Sequence, residues 1–398
     1  MKALSDVTVL DFTHMLSGPY GTMLLADLGA RTIKIEPIGE GEGTRRLLAQ
    51  DPAVSVDGMG AYFLTLNRNK ESVSVNLKDP QGLAVVRDLV KHADVVFENF
   101  SPGVMDRLGL GYEELSAINP GIISCSVSGF GHEGPHSNRP AFDMVAQAMG
   151  GGMSITGEPG GKALRAGIPI GDLGGGVFGA LAVLAALRAR DRTGVGQRLD
   201  ISMLDVQISL LNYMATMYFL SGKAPAAEGN GHFVHVPYDT FRTTTRGIVI
   251  AVITDGFWHA LVELLGIEAL RAPEFDRQPG RLAKRDYING LVQEAMEQES
   301  CEVWLERLQA MRIPCAPVND FEHALSDPQI LARGMVAEVP LLNGRTVRMP
   351  GNPIKMSAFP DSYTSPPTVG LHTDEILGGM LGMSAEHIAA LREKGAIG

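Results

Sequence analysis

The chain has 398 residues, 45% of them hydrophobic and 20% charged, with a formal net charge of −11. That length exceeds the roughly 250–300 residues at which one core stops growing, so two lobes are expected, and the ordinary composition excludes a disordered polymer. An acidic chain excludes nucleic acid as main partner, since phosphate binding needs a basic surface; Cys125, Cys301 and Cys315, with no CxxC pair, imply neither a disulfide framework nor a zinc knuckle.

The first half alternates strand and helix patterns. Residues 7–13 (VTVLDFT) form a β-rich run, and after Gly18-Pro19 a helical pattern extends through Leu28. A second strand at 31–36 is closed by Pro37, a third is expected at 72–77, and Asp79-Pro80 then opens a helix to about His92. There Leu83, Val86, Leu89 and Val90 share a face, with Asp79 as N-cap and proline at the first helical position. Residues 94–97 and 122–127 read as further strands. Such alternation implies an α/β fold, a mostly parallel sheet covered by helices on both faces. A Gly/Ala/Pro-rich linker is expected at 222–231, then a smaller lobe with a strand at 247–253 and helices at 257–265 and 287–308. Prolines 314, 317, 350, 353, 366 and 367 point to an extended return path. The domains read as 1–221, 222–320 and a return at 321–398. Asp6 and Asp11 interrupt any apolar leader, and the longest smooth apolar stretch, 177–187, is shorter than the ~20 residues of a membrane span. A cytoplasmic protein without membrane association is the expectation.

Three chemistries are set aside. Gly129-Phe-Gly-His-Glu-Gly134 matches GxGxxG after a strand, but Pro135 and Pro140 stand where the dinucleotide-binding helix would run. His232 and His235 have ligand-like spacing without a third ligand, so no metal is expected. Ser126 and Ser128 lack a GxSxG elbow.

The informative stretch is Gly167-Ile-Pro-Ile-Gly-Asp172-Leu-Gly-Gly-Gly176, which runs into an apolar helix. Asp172 suits an N-cap, as any aspartate before such a helix does. Three glycines in the first turn each cost about 0.8–1 kcal/mol against alanine, which is explained if something large approaches the backbone closely. A helix N-terminus keeps a carboxylate ionised and available as a nucleophile, and its amides are candidates to stabilise an oxyanion on an attacked carbonyl.

Several blocks in order resemble the class III CoA-transferases: LDFTHMLSGPYGTMLLADLGARTIKIEPIGEGEGTR at 10–45, YFLTLNRNKESVSVNL at 62–77, DVVFENFSPGVMDRLGLGY at 94–112, NPGIISCSVSGFG at 119–131, PIGD at 169–172 and TGVGQRLDISMLD at 193–205. The resemblance implies a Rossmann-like large domain built from both ends of the chain, a smaller α+β domain inserted late, and an interlocked homodimer. It makes Asp172 the nucleophile that forms an aspartyl–acyl anhydride and then an enzyme–CoA thioester. CoA enters as a thioester substrate, with no permanently bound cofactor. CoA contacts are implied at Leu16, Ser17, Val75, Lys78, Asn99, Phe100, Ser101 and Arg107, and Asp143 stands near the nucleophile. Leu16 and Phe142 depart from the glutamine and tyrosine of formyl-CoA transferases. No glycine run lies between Ala224 and Arg246, so oxalate–formate exchange is not expected. Arg45, Arg46 and Arg165 suggest guanidinium groups near the acyl site. They favour a small dicarboxylic acceptor, with succinyl-CoA as a plausible donor. The alternatives are an acyl-CoA racemase on the same fold, which Phe142 disfavours because it cannot exchange a proton, and a non-catalytic CoA-binding protein.

Overall fold

The computed structural model describes residues 2–398. Six strands form one parallel sheet: β1 (Thr8–Asp11), β2 (Arg31–Glu36), β3 (Lys70–Ser74), β4 (Val95–Glu98), β5 (Ile123–Ser128) and β6 (Arg198–Ser202). Their spatial order is β3-β2-β1-β4-β5-β6. The order reverses between β1 and β4, and at such a switch point the carboxyl ends of the strands leave a crevice. Val9, Leu10, Ile33, Val73, Val95 and Val96 are fully buried, the near-continuous apolar pattern of strands covered on both faces.

The third strand lies earlier than residues 72–77. Thr32 pairs with Lys70 and Glu36 with Ser74, while Val75 onward leaves the sheet. Lys70 belongs to the strand because its buried ammonium meets Asp11 at 2.9 Å and the Thr22 hydroxyl at 2.8 Å. A lysine reads as surface until its carboxylate is placed.

Five helices matter for the site: α1 (Ser17–Asp27), α2 (Pro80–Val90), α3 (Asp143–Met149), α4 (Ile170–Thr193) and α5 (Met203–Leu211). In α2 the expected cap is present, Asp79 Oδ1 accepting from the Gln81 and Gly82 amides. Helix α4 is long and apolar enough to cross a membrane by length and composition alone, yet Gly175, Gly176, Gly179, Val183 and Leu187 are buried within the large unit. It begins ahead of the apolar run, so Asp172 is its third residue and not its N-cap. The glycines have a different cause from the one expected. A Cβ on Gly176 would lie 2.5 Å from the Ser17 carbonyl oxygen and 3.0 Å from the Gly21 nitrogen, and one on Gly179 2.7 Å from the Phe97 ring. What approaches closely is helix α1 at Gly176 and Phe97 of β4 at Gly179.

The chain divides into two compact units. One comprises Met1–Gly152, Arg165–Gly222 and Ala332–Gly398; the other comprises Met153–Leu164 and Lys223–Leu331. The smaller unit thus includes a segment that the sequence reading leaves in the large domain. It holds an antiparallel sheet of β7 (Tyr238–Phe241), β8 (Ile248–Ala251) and β9 (Cys315–Pro317), with a core around Trp258, Ile288, Val292 and Leu308. The helix expected at 287–308 is two, Arg285–Met296 and Cys301–Ala310, split where Ser300 Oγ caps the second on the Val303 amide. The return path is not merely extended. It includes the hairpin Val336–Pro340 with Thr346–Pro350 and the helices Thr373–Leu381 and Ala385–Glu393. These helices place Ile376, Leu377, Ile388 and Leu391 in the core that holds Leu10 and Val96. The end of the chain then ties down the exit of β3, the Asn76 amide donating to the Ala396 carbonyl and the Gly398 amide to the Ser74 carbonyl.

Two effects compete in Gly176→Ala. Helix propensity favours alanine by about 1 kcal/mol, but a methyl group 2.5 Å from a backbone oxygen must push two helices apart. The contact is expected to win, with a net loss of about 1–3 kcal/mol. Gly167→Ala, where a Cβ meets nothing within 4 Å, should change stability by less than about 0.5 kcal/mol. Urea-unfolding midpoints check both; equal midpoints for the two variants would refute the helix-contact account.

Candidate active site

A pocket of about 800 Å³ opens at the carboxyl ends of β1 to β4, across the switch point. Phe12 to Met15 follow β1 into it, Pro37, Glu42 and Arg46 follow β2, Val75 to Lys78 follow β3, and Phe100, Val104 and Leu108 follow β4. Of the expected CoA contacts, Val75, Lys78 and Phe100 line this pocket. Leu16 and Ser17 open helix α1 directly after Met15, and the buried Ser17 Oγ has no hydrogen-bond partner among the described residues.

The remaining expectations are placed otherwise. Asn99 uses its amide on the chain itself: Oδ1 accepts from the His14 amide at 2.9 Å and Nδ2 donates to the His14 carbonyl at 2.8 Å. It staples the loop after β1 to the loop after β4. Ser101 is exposed and lines a smaller, separate cavity, and Arg107 is exposed outside the pocket lining. Arg45 faces inward and lies outside the pocket lining. Its Nε donates to Glu36 at 2.7 Å, its Nη2 to the same carboxylate, its Nη1 to the Pro367 carbonyl, and its guanidinium lies 3.8 Å over the Phe63 ring. Buried, it spends Nε, Nη1 and Nη2 on contacts within the chain. The next residue, Arg46, points outward, lines the pocket and pairs only with the exposed Glu40.

Asp172 is half-buried at the start of α4, and burial, followed by the Asp143 carboxylate, pushes its pKa up to about 6. Asp143 comes from α3. Its Oδ1 accepts the Gly171 amide at 2.8 Å and, more weakly, the Asp172 amide at 3.4 Å, while Oδ2 accepts from Gln147 Nε2 at 2.7 Å. Gln147 Oε1 in turn accepts the Ala166 amide at 2.9 Å. A carboxylate from another helix therefore caps α4, whose own Pro169 has no side chain for the task. The first-turn amides are consequently occupied, which removes them as the expected oxyanion donors. Arg165 is exposed beside this turn. Its Nη1 donates to the Ala166 and Gly167 carbonyls, and its other guanidinium donors have no partner among the described residues.

Two residues escaped the sequence reading. His14 lines the pocket, meeting Phe100 edge to face at 5.1 Å; burial and then the Lys34 charge hold its imidazole below the usual pKa, hence neutral at pH 7. Tyr62 is half-buried, and burial, followed by the charges of Asp172, Glu42 and Asp143, pushes its phenol up. It thus lies in the field of both Asp172 and a pocket-lining carboxylate. Both fall within the quoted family blocks, but neither neighbours a glycine or proline that would single it out.

The family model described as CoA-transferase family III matches residues 4–373. The acetyl-CoA:oxalate CoA-transferase of Acetobacter aceti is 41% identical over 90% of each chain. The succinyl-CoA:mesaconate CoA-transferase of Haloarcula marismortui is 38% identical, over 95% of this chain and 96% of its own. A solved CAIB/BAIF family protein from Brucella suis superposes with a TM-score of 0.84 at 36% identity, covering 94% of this chain and 98% of that one. With a switch-point pocket, a carboxylate at the adjoining helix start and matches along nearly its whole length, the chain belongs to CoA-transferase family III.

Proposed function

We propose that the protein transfers CoA from an acyl-CoA such as succinyl-CoA to a small dicarboxylic acid, with Asp172 as the covalent nucleophile. The observation that carries this reading is the placement of Asp172, a desolvated carboxylate whose pKa of about 6 leaves it ionised at neutral pH yet more basic than an exposed aspartate.

An Asp172 oxygen bonds to the thioester carbonyl carbon and the C–S bond breaks, giving a mixed anhydride and CoA thiolate. The thiolate attacks Asp172 Cγ, and the first acid leaves as a carboxylate carrying one Asp172 oxygen. The enzyme–CoA thioester then undergoes the same two steps in reverse order with the acceptor. No net proton is exchanged and one negative charge circulates, so the groups in the site must suit a displaced anion more than a proton acceptor.

Asp172 must be ionised to attack, so kcat/KM should rise with pH through about 6. Asp143→Asn removes the like charge but not the larger effect of burial, so the acid limb should move down by about half a unit. The variant should also lose roughly ten-fold in kcat, because the new amide turns a donor toward either Gln147 or the Gly171 amide. A pH–rate profile with an unmoved acid limb would separate Asp143 from the nucleophile.

For the acceptor, the oxalate and mesaconate named for the two relatives are both dicarboxylates, and Arg165 offers free guanidinium donors beside the Asp172 turn. Succinate, mesaconate and glutarate should exceed butyrate in kcat/KM, with Arg165→Ala removing about ten-fold from the diacids alone. Parity between diacids and butyrate would sink the dicarboxylate assignment. A homodimer is also proposed. The helix Tyr213–Ser221 buries no side chain, and Phe219 and Leu220 are 78% and 84% exposed, an apolar surface suited to a second copy. Sedimentation should give a dimer at micromolar concentration, and a monomer would contradict it.

A further inference from the structure

The turn after β4 separates two cavities of the large unit. Phe100 and Val104 line the large pocket. Glu98, Ser101, Ser126, His132 and Arg198 line the other, of about 30 Å³, which is room for about one water. Glu98, at 4% exposure, reaches past the turn: its Oε2 accepts the Phe100 amide at 2.7 Å, and Ser126, its register partner on β5, lies beside the same carboxylate and lowers its pKa. Ser126 Oγ lies 2.8 Å from His132 Nε2, and the His132 amide donates to Asp200 Oδ2 at 2.9 Å. None of these groups takes part in the chemistry at Asp172. A carboxylate buried this deeply is costly unless its lone pairs are matched, and what it fixes is the Phe100 amide on the pocket wall.

We propose that Glu98, Ser126 and His132 form a positioning relay behind the pocket, which holds Phe100 in place and so sets the affinity for the CoA moiety without touching it. This rests on the reading that the large pocket receives CoA. With Glu98 ionised, its carboxylate accepts from both Phe100 and Ser126, while His132 Nε2–H donates to the serine oxygen. Protonation removes one acceptor and loosens the turn. Burial pushes the Glu98 carboxyl up to about 7, opposed by the Ser126 and Phe100 hydrogen bonds and by Arg198, with Asp106 adding to the rise. The other charged or titratable neighbours are Cys125 on β5 and Asp200 on β6. Burial holds the His132 imidazole down, so it is neutral here. The relay is therefore in its holding form above neutrality and lets go as pH falls.

The test is calorimetric titration of the full-length protein with free CoA at pH 6.5 and 8.5, alongside KM and kcat for an acyl-CoA. Glu98→Ala and Ser126→Ala should weaken CoA binding by about three- to ten-fold and leave kcat within about two-fold. Glu98→Gln should restore wild-type affinity at pH 8.5, because its amide oxygen still accepts from Phe100, while its amide N–H meets the Ser126 oxygen in the reversed direction. Its affinity should also fall less than that of the wild type toward pH 6.5. Unchanged affinity in Glu98→Ala, or a wild-type pH response in Glu98→Gln, overturns the relay. Ser126→Ala removes one oxygen and keeps the test decisive should Glu98→Ala not fold. Val104→Trp fills the pocket; if it leaves CoA binding intact, the pocket assignment fails and the relay with it, an outcome distinct from failure of the relay alone.

Discussion

Backbone contact between helices α1 and α4 is the constraint on which the site depends. Ser17 and Gly21 of α1 occupy the space that any side chain on Gly176 would need. Asp172, Gly175, Gly176 and Gly179 follow the spacing i, i+3, i+4, i+7, so one face of α4 carries both the contact and Asp172. Helix α1 follows β1, whose end builds the pocket. The glycines therefore set how closely the helix of Asp172 approaches the helix that follows β1, and a side chain there would change that spacing as well as stability. Three residues of low helix propensity persist in a helix because close approach outweighs about 1 kcal/mol each.

The second constraint is electrostatic. Asp143 supplies the acceptor that α4 lacks, and the same carboxylate raises the pKa of Asp172 beyond the effect of burial. Capping and activation are one interaction seen from two residues. The helix dipole favours the negative charge, while burial and a like charge oppose it. The balance at about 6 keeps Asp172 ionised at neutral pH yet more basic than an exposed aspartate. Around the pocket, the side chains of Asn99 and Glu98 bond to the backbone of His14 and Phe100, which makes the rim rigid before a ligand arrives.

The parallel sheet, the capped α2 and the helix with Asp172 in its first turn were legible because each is written locally, in period, cap residues and a short motif. What was not legible depends on residues distant in sequence. The Asp143 cap acts across an |i−j| of 28, and nothing local distinguishes it from a helix-starting aspartate. Arg45 and Arg46 are adjacent and chemically alike, yet one turns inward to Glu36 and the other toward the pocket. Only the fold around the short 3₁₀ turn Gly43–Arg45 decides which. The glycines of α4 were rightly read as a close approach, but sequence cannot say whether the approaching body is a ligand or a helix. Lys70 was misplaced because its charge is neutralised by Asp11, on a strand two positions away across the sheet.

Oxygen transfer tests the central claim most directly. If Asp172 is the covalent carrier, each acceptor carboxylate that becomes a thioester leaves one of its oxygens on the enzyme. The isolated enzyme–CoA thioester should be reacted with an acceptor labelled with oxygen-18 in one turnover, digested and analysed by mass spectrometry. One labelled oxygen in the Asp172 side chain is the predicted result. Product formation with no label at Asp172, or with label on another residue, would contradict the account.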